Sequence, residues 1–337
     1  MLTERIHLQD SLREIHLIES ALSSDDITAL IERLSRLDSE FRSLGVDPCR
    51  TEIDFPETLL VKELSSEQKK VLEQLLGTIS AHRSVAHQNL IKTIEIIESN
   101  ERMIDLRTLF SDQNIDVVFS DKGYSEACGE WAGKPRLFWM RETAARRVLI
   151  MAKILNTMGY IMRIEDCYRP VGVQEGLFSR RIKWILDETP EIDPNELLIQ
   201  AMSKTAVTPR LASHKAGAAI DFTILSNNYT PLNIGNVYPE GGAVVAIDYP
   251  FLTREQWVNR QFFKALVLMN GGSVYMGEDW HASFGDNLCG IDCTGNIREG
   301  YVAMYGPLSD FDLSSGVVTP ANVDSYDQPL WNPILLT

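Results

Sequence analysis

A carboxylate in the middle of an apolar run constrains this chain more than any other feature. Residues 219–225 read Ala-Ile-Asp-Phe-Thr-Ile-Leu, apolar and β-branched, and this pattern predicts a strand. A charge buried in such a strand needs a strong partner such as a metal, because an unpaired buried carboxylate is costly. Period-two alternation puts Ala219, Asp221 and Thr223 on one face. The small Ala219 leaves room beside Asp221, and Gly217 lets the chain turn tightly from His214 into the strand, so both side chains can reach one metal. Further on stands Glu278-Asp279-Trp280-His281. Two imidazoles and one carboxylate are good zinc ligands, and Glu278 is left over to act on a water. That is the inventory of a catalytic zinc site: three protein ligands, an open position and a nearby base.

Each assignment competes with a blander one. A histidine in a globular chain is often only a satisfied core residue. Here, however, just two of the six histidines, His214 and His281, lie after residue 100, and both fall where ligands are expected. For Glu278 the bland reading is a surface acid, which is the expectation for its neighbour Asp279. His82 and His87 are not on one helix face and are expected at the surface. Cys289 and Cys293 lack the further ligands a second metal site would need, so they are read as ordinary thiols.

Taken together, His214-x-x-Gly217-x-Ala219-x-Asp221 and Glu278-x-Trp280-His281 resemble the signature of the zinc D,D-peptidases. The segment Asp166-Cys167-Tyr168-Arg169-Pro170 resembles the D-x-Y-R-P motif of one branch, the D-Ala-D-Ala dipeptidases of the vancomycin-resistance type. The resemblance covers roughly residues 105–310, with the motifs in family order. It implies a zinc D,D-peptidase-like domain: a small, mainly antiparallel sheet flanked by helices. It also implies one zinc per chain on His214, Asp221 and His281, with Glu278 as general base. Arg169 would stabilise the oxyanion of the tetrahedral intermediate. The family usually carries Ser two residues before the first zinc histidine; here that position is Ala212, with Ser213 beside it.

The chain has 337 residues and a net charge of −15, which excludes phosphate-driven nucleic-acid binding. Anionic wall polymers would be repelled; a small zwitterionic dipeptide would not. No apolar run predicts a transmembrane helix, and no signal-peptide pattern opens the sequence, so a cytoplasmic protein is expected. Five cysteines without a small-domain spacing favour a reducing compartment.

Residues 1–103 read as helical. Leu12, Ile15, Ile18 and Leu22 recur at helical steps, as do Ile27, Leu30, Ile31 and Leu34. A long helix is predicted from Ser66 to about Asn100, with Leu72, Leu76, Ile79, Ala86, Leu90 and Ile97 at heptad-like spacing. This region is either a hairpin or short coiled coil that packs on the rest, on a second copy or on a partner protein, or an ordinary bundle. Residues 104–337 form the catalytic part, and their mixed helices and strands without strict βαβ alternation give an α+β class. Strands are expected at 115–119, 160–164 and 273–276, and helices at 141–158, 173–186, 196–202 and 253–270. Residues 226–250 form a long loop over the site, and the chain after Gly306 is expected to be irregular.

Other chemistries find no support: there is no H-E-x-x-H, G-x-S-x-G or Walker loop. Ser66-x-x-Lys69 lacks a K-T-G partner. The expected function is zinc-dependent hydrolysis of a D-Ala-D-Ala type dipeptide, whose ammonium would need an acid such as Glu240 or Asp248. The alternatives are a D,D-carboxypeptidase or endopeptidase on peptidoglycan stems, and a non-enzymatic zinc-site binding protein.

Overall fold

The computed structural model describes residue 81 and residues 84–329, except 240–241, 248, 250–251 and 293–295. The predicted helices of residues 1–80, His82, Glu240, Asp248 and Cys293 therefore lie outside the described residues. The rest is a mixed fold of helices and small sheets. After a helical stretch at 84–91 come β1 (Met103–Asp105), α1 (Leu106–Asp112), β2 (Val117–Phe119), β3 (Trp139–Arg141), α2 (Glu142–Thr157) and β4 (Tyr160–Asp166). Then follow α3 (Val171–Glu188), α4 (Pro194–Met202), β5 (Ala219–Ser226), α5 (Arg254–Met269), β6 (Ser273–Val274), β7 (His281–Ser283), β8 (Leu308–Phe311) and β9 (Val318–Pro320). Among the described residues no helix is long and apolar enough to cross a membrane.

The central sheet runs β2-β4-β5-β7-β6. Only the β2–β4 pair is parallel; β4–β5, β5–β7 and β6–β7 are antiparallel. Helices α2 and α5 bury Val148, Leu155, Phe263 and Leu266 in one cluster with Phe222 and Ile224 of the sheet. Each such side chain contributes roughly 1.5–3 kcal/mol on burial, which fixes the strand that carries Asp221. Helix α5 starts at a capping box, in which the Thr253 hydroxyl accepts from the Gln256 amide. The helices predicted at 141–158, 173–186, 196–202 and 253–270 and the strand at 219–225 form, with ends shifted by a few residues.

Several expectations are corrected. The long helix does not reach Asn100: it ends at residue 91, and Ile96 instead bridges to Ala303. Its buried face is Ala81, Ser84, His87, Gln88 and Ile91, whereas the heptad positions Ala86, Leu90 and Ile97 are exposed. Among the described residues the helix forms at 84–91, but the heptad frame selected the wrong face there. The chain after Gly306 is not irregular throughout, because β8 and β9 pair as a hairpin. Proline at 320 sits at the end of β9, a position where it breaks no interior ladder.

Residues 84–103 are stitched to the rest. Arg141, fully buried, donates to the carbonyls of Glu101 (2.7 Å) and Ala216 (2.9 Å) and pairs with Glu98 (3.0 Å). Ile91 and Ile94 pack with Leu288, Ile291 and Ala303. His87 is not a surface residue: it is 5% exposed and stacks on Tyr275, with ring centroids 5.7 Å apart. Its Nδ1 has no hydrogen-bond partner among the described residues, and burial lowers its pKa to about 4. Because the unfolded chain binds this proton near the ordinary value of 6.5, His87 contributes stability above that pH which is lost as pH falls toward 4. The shift corresponds to at most about 3 kcal/mol. Urea midpoints of His87→Phe should therefore fall less steeply than wild type between neutral pH and pH ~4.5; parallel curves would refute this.

Candidate metal centre

Backbone pairing assembles the site. Asp221 on β5 stands opposite His281 on β7, and on its other side opposite Asp166 on β4, after a bulge between Ile164 and Asp166. Three adjacent strands thus place two carboxylates and an imidazole in one row. His214 arrives from a 3-10 turn, Ser213–Ala216, that closes on Gly217 in the left-handed region (φ 70°). The positive φ favours glycine, and a Cβ at Gly217 would also lie 2.5 Å from the Met103 sulfur, which would have to shift.

The three predicted ligands converge. Donor atoms of His214, Asp221 and His281 all lie within 4.8 Å of one another, and the three residues are buried. Asp221 Oδ1 lies 3.2 Å from His214 Nε2 and 3.1 Å from His281 Nδ1. His214 Nδ1 is 2.6 Å from the Cys167 carbonyl, which can only accept, so Nδ1 carries the hydrogen. In a neutral ring the Nε2 lone pair would face a carboxylate oxygen, acceptor against acceptor, and either a second proton or a metal cation between them makes the contact favourable. The donor set fits a metal, and two nitrogens with one oxygen suit zinc. His281 Nε2 contacts the Ser283 hydroxyl at 3.2 Å, which orients the second ring.

Two carboxylates opposite each other repel unless a cation bridges them. Arg169 does so: Nε donates to Asp166 Oδ2 and Nη2 to Asp221 Oδ2, both at 2.8 Å. Burial alone would raise Asp221, but His214, His281 and Arg169 hold its pKa well below the usual carboxylate range. Burial opposes the Arg169 charge, yet Asp166 and Asp221 raise its pKa above the ordinary value. Its Nη1 makes no hydrogen bond among the described residues.

Glu278 sits in the turn between β6 and β7, its side chain 19% exposed and Oε2 3.9 Å from His281 Nδ1. Burial, then repulsion from Asp221, raises its pKa, which makes it a stronger proton acceptor; His281 and Lys204 oppose the rise. Lys204 itself donates to the Gly277 carbonyl at 2.9 Å.

Asp279 corrects the expectation of a surface acid. It is buried, 2.7 Å from Arg260, and neither side chain is exposed. Burial raises its pKa to about 6 despite Arg260. Sequence reading missed Asp166, Tyr238 and Tyr275 as site residues. Tyr238, from the loop after β5, reaches Asp221 Oδ2 (3.4 Å), and Tyr275 lies edge-on to His281 (centroids 6.2 Å) with His87 behind it. Asp166 alone had a signal, its place in the Arg169 motif.

No protein-family model and no curated protein matches this chain. Among solved structures, the LdcB LD-carboxypeptidase, described for its peptidoglycan recognition, is similar over 57% of this chain and 71% of that one, at 16% identity and a TM-score of 0.30.

Proposed function

We propose that the protein is a zinc-dependent hydrolase of a D-Ala-D-Ala type dipeptide. The observation that carries a hydrolytic metal centre is the convergence of His214, Asp221 and His281 with a half-buried carboxylate, Glu278, beside them and not among the ligands. The dipeptide specificity rests on the motif resemblance. Bound by His214, Asp221 and His281, zinc would supply Lewis-acid polarisation of a water and of the scissile carbonyl.

The chain's own groups do the rest. Glu278 takes a proton from the attacking water at its carboxylate and returns it to the departing amine. Arg169, locked by Asp166 and Asp221, has Nη1 left to meet negative charge developing on a substrate oxygen. Its neighbours keep it charged through the cycle. The net charge of −15 disfavours polyanionic wall polymers and leaves small zwitterions unaffected.

An amine-release assay tests this reading. Zinc-loaded protein is given D-Ala-D-Ala, its L,L isomer and a pentapeptide ending in D-Ala-D-Ala. Release from the D,D-dipeptide that a chelator abolishes is the expected result. Preference for the pentapeptide would instead make the protein a D,D-carboxypeptidase, and silence on all three would reduce the site to binding.

A further inference from the structure

Asp221 is 1% exposed, and its two oxygens have different company. Oδ1 faces both imidazoles, His214 Nε2 at 3.2 Å and His281 Nδ1 at 3.1 Å. Oδ2 faces two donors, Arg169 Nη2 at 2.8 Å and the Tyr238 hydroxyl at 3.4 Å. Arg169 belongs to the turn after β4, but Tyr238 comes from the long connection between β5 and α5.

The direction of the Tyr238 hydrogen bond follows from its neighbours. Arg136 Nη1, which can only donate, stands 3.3 Å from the Tyr238 oxygen. Asp221 Oδ2 already accepts from Arg169 Nη2 at 2.8 Å, which marks it as an acceptor. The hydroxyl hydrogen therefore goes to Asp221, and a one-way chain runs from Arg136 through Tyr238 to the carboxylate. Arg136 is itself held on the Glu165 carbonyl. The Tyr238 ring packs edge-on against Trp280, the residue before His281, at a centroid distance of 5.2 Å and an angle of 87°.

We propose that Tyr238 is a positioning residue that, with Arg169, occupies Asp221 Oδ2 and leaves Oδ1 as the single oxygen for the metal. The inference rests on the metal reading of the site. One-oxygen ligation matters chemically, because a carboxylate binding through both oxygens would fill the position that substrate or water requires. Tyr238 also ties the loop after β5 to the metal. By reciprocity, metal that favours the fixed Asp221 favours the docked loop, and the docked loop favours metal.

Tyr238→Phe removes the hydroxyl and keeps the ring against Trp280, so the fold is expected to survive. Zinc affinity of full-length wild type and variant is measured by competition with a chromogenic chelator. The variant is expected to bind zinc about 10-fold more weakly, the lower end for loss of an outer partner of a ligand. Cobalt loading gives a second readout, since freeing Oδ2 to join the metal raises the coordination number and weakens the visible d–d absorption. Equal zinc affinity and an unchanged cobalt spectrum would overturn the inference, even with a lowered unfolding midpoint, because packing alone would explain that. Wild-type protein that takes up no metal would instead sink the metal reading itself.

Discussion

His214→Ala and His281→Ala should each lose most of the zinc from a protein that otherwise carries about one ion per chain. Removing an outer partner of a ligand already costs about 10–100-fold in metal affinity, and removing the ligand itself should cost more. Two remaining donors cannot make the closed side of a tetrahedral site. The losses differ in their side effects. His214 is held on the Cys167 carbonyl, whereas His281 lies between His214 and Tyr275. Its truncation should also loosen Tyr275 and the His87 face behind it. Metal analysis after gel filtration, with unfolding midpoints beside it, checks both. Full zinc occupancy in the two variants would end the metal assignment.

Glu278→Gln should keep zinc and slow turnover by roughly 10²-fold or more, the scale for losing a positioned base. Gln preserves shape and removes the proton acceptor. It also removes a negative charge close to Asp221, which repels it in the folded protein, so stability should not fall for electrostatic reasons. Single-turnover rates and zinc content decide the matter. Near-wild-type turnover takes Glu278 out of the mechanism, and zinc loss makes it a ligand. Arg169→Ala is a less clean test than its motif suggests. It leaves Asp166 and Asp221 opposed without their bridging cation, and breaking a buried pair in this way costs about 3–5 kcal/mol. Both zinc affinity and turnover should drop, so its effect on rate cannot be assigned to the oxyanion alone.

The candidate donor set was legible because it depends on residue type and short spacing. An Asp in an apolar strand, a His before a glycine turn and a His at the start of a later strand state their chemistry locally. The strand at 219–226, the helices flanking it and the left-handed glycine at 217 followed from period and turn chemistry in the same way. His87 and Asp279 were misread because burial of a polar residue depends on what packs over it. Tyr275 covers one, and Arg260, on another element, pairs with the other. The heptad frame failed at Ala86, Leu90 and Ile97 for the same reason: Leu90 and Ile91 are neighbours in sequence, and only contact with Leu288 and Ile291 decides which of them is buried.

By itself, then, the sequence determined which three donors could meet, the carboxylate beside them and the mixed α and β character, since each resides in local pattern. Tertiary structure alone decided how those groups are held: that β4, β5 and β7 lie side by side, that Arg169 bridges the two acids this creates, that the Cys167 carbonyl orients His214, and that Tyr238 returns to Asp221. These depend on strand register and loop return, which bring together residues far apart in the chain, and no local pattern encodes them.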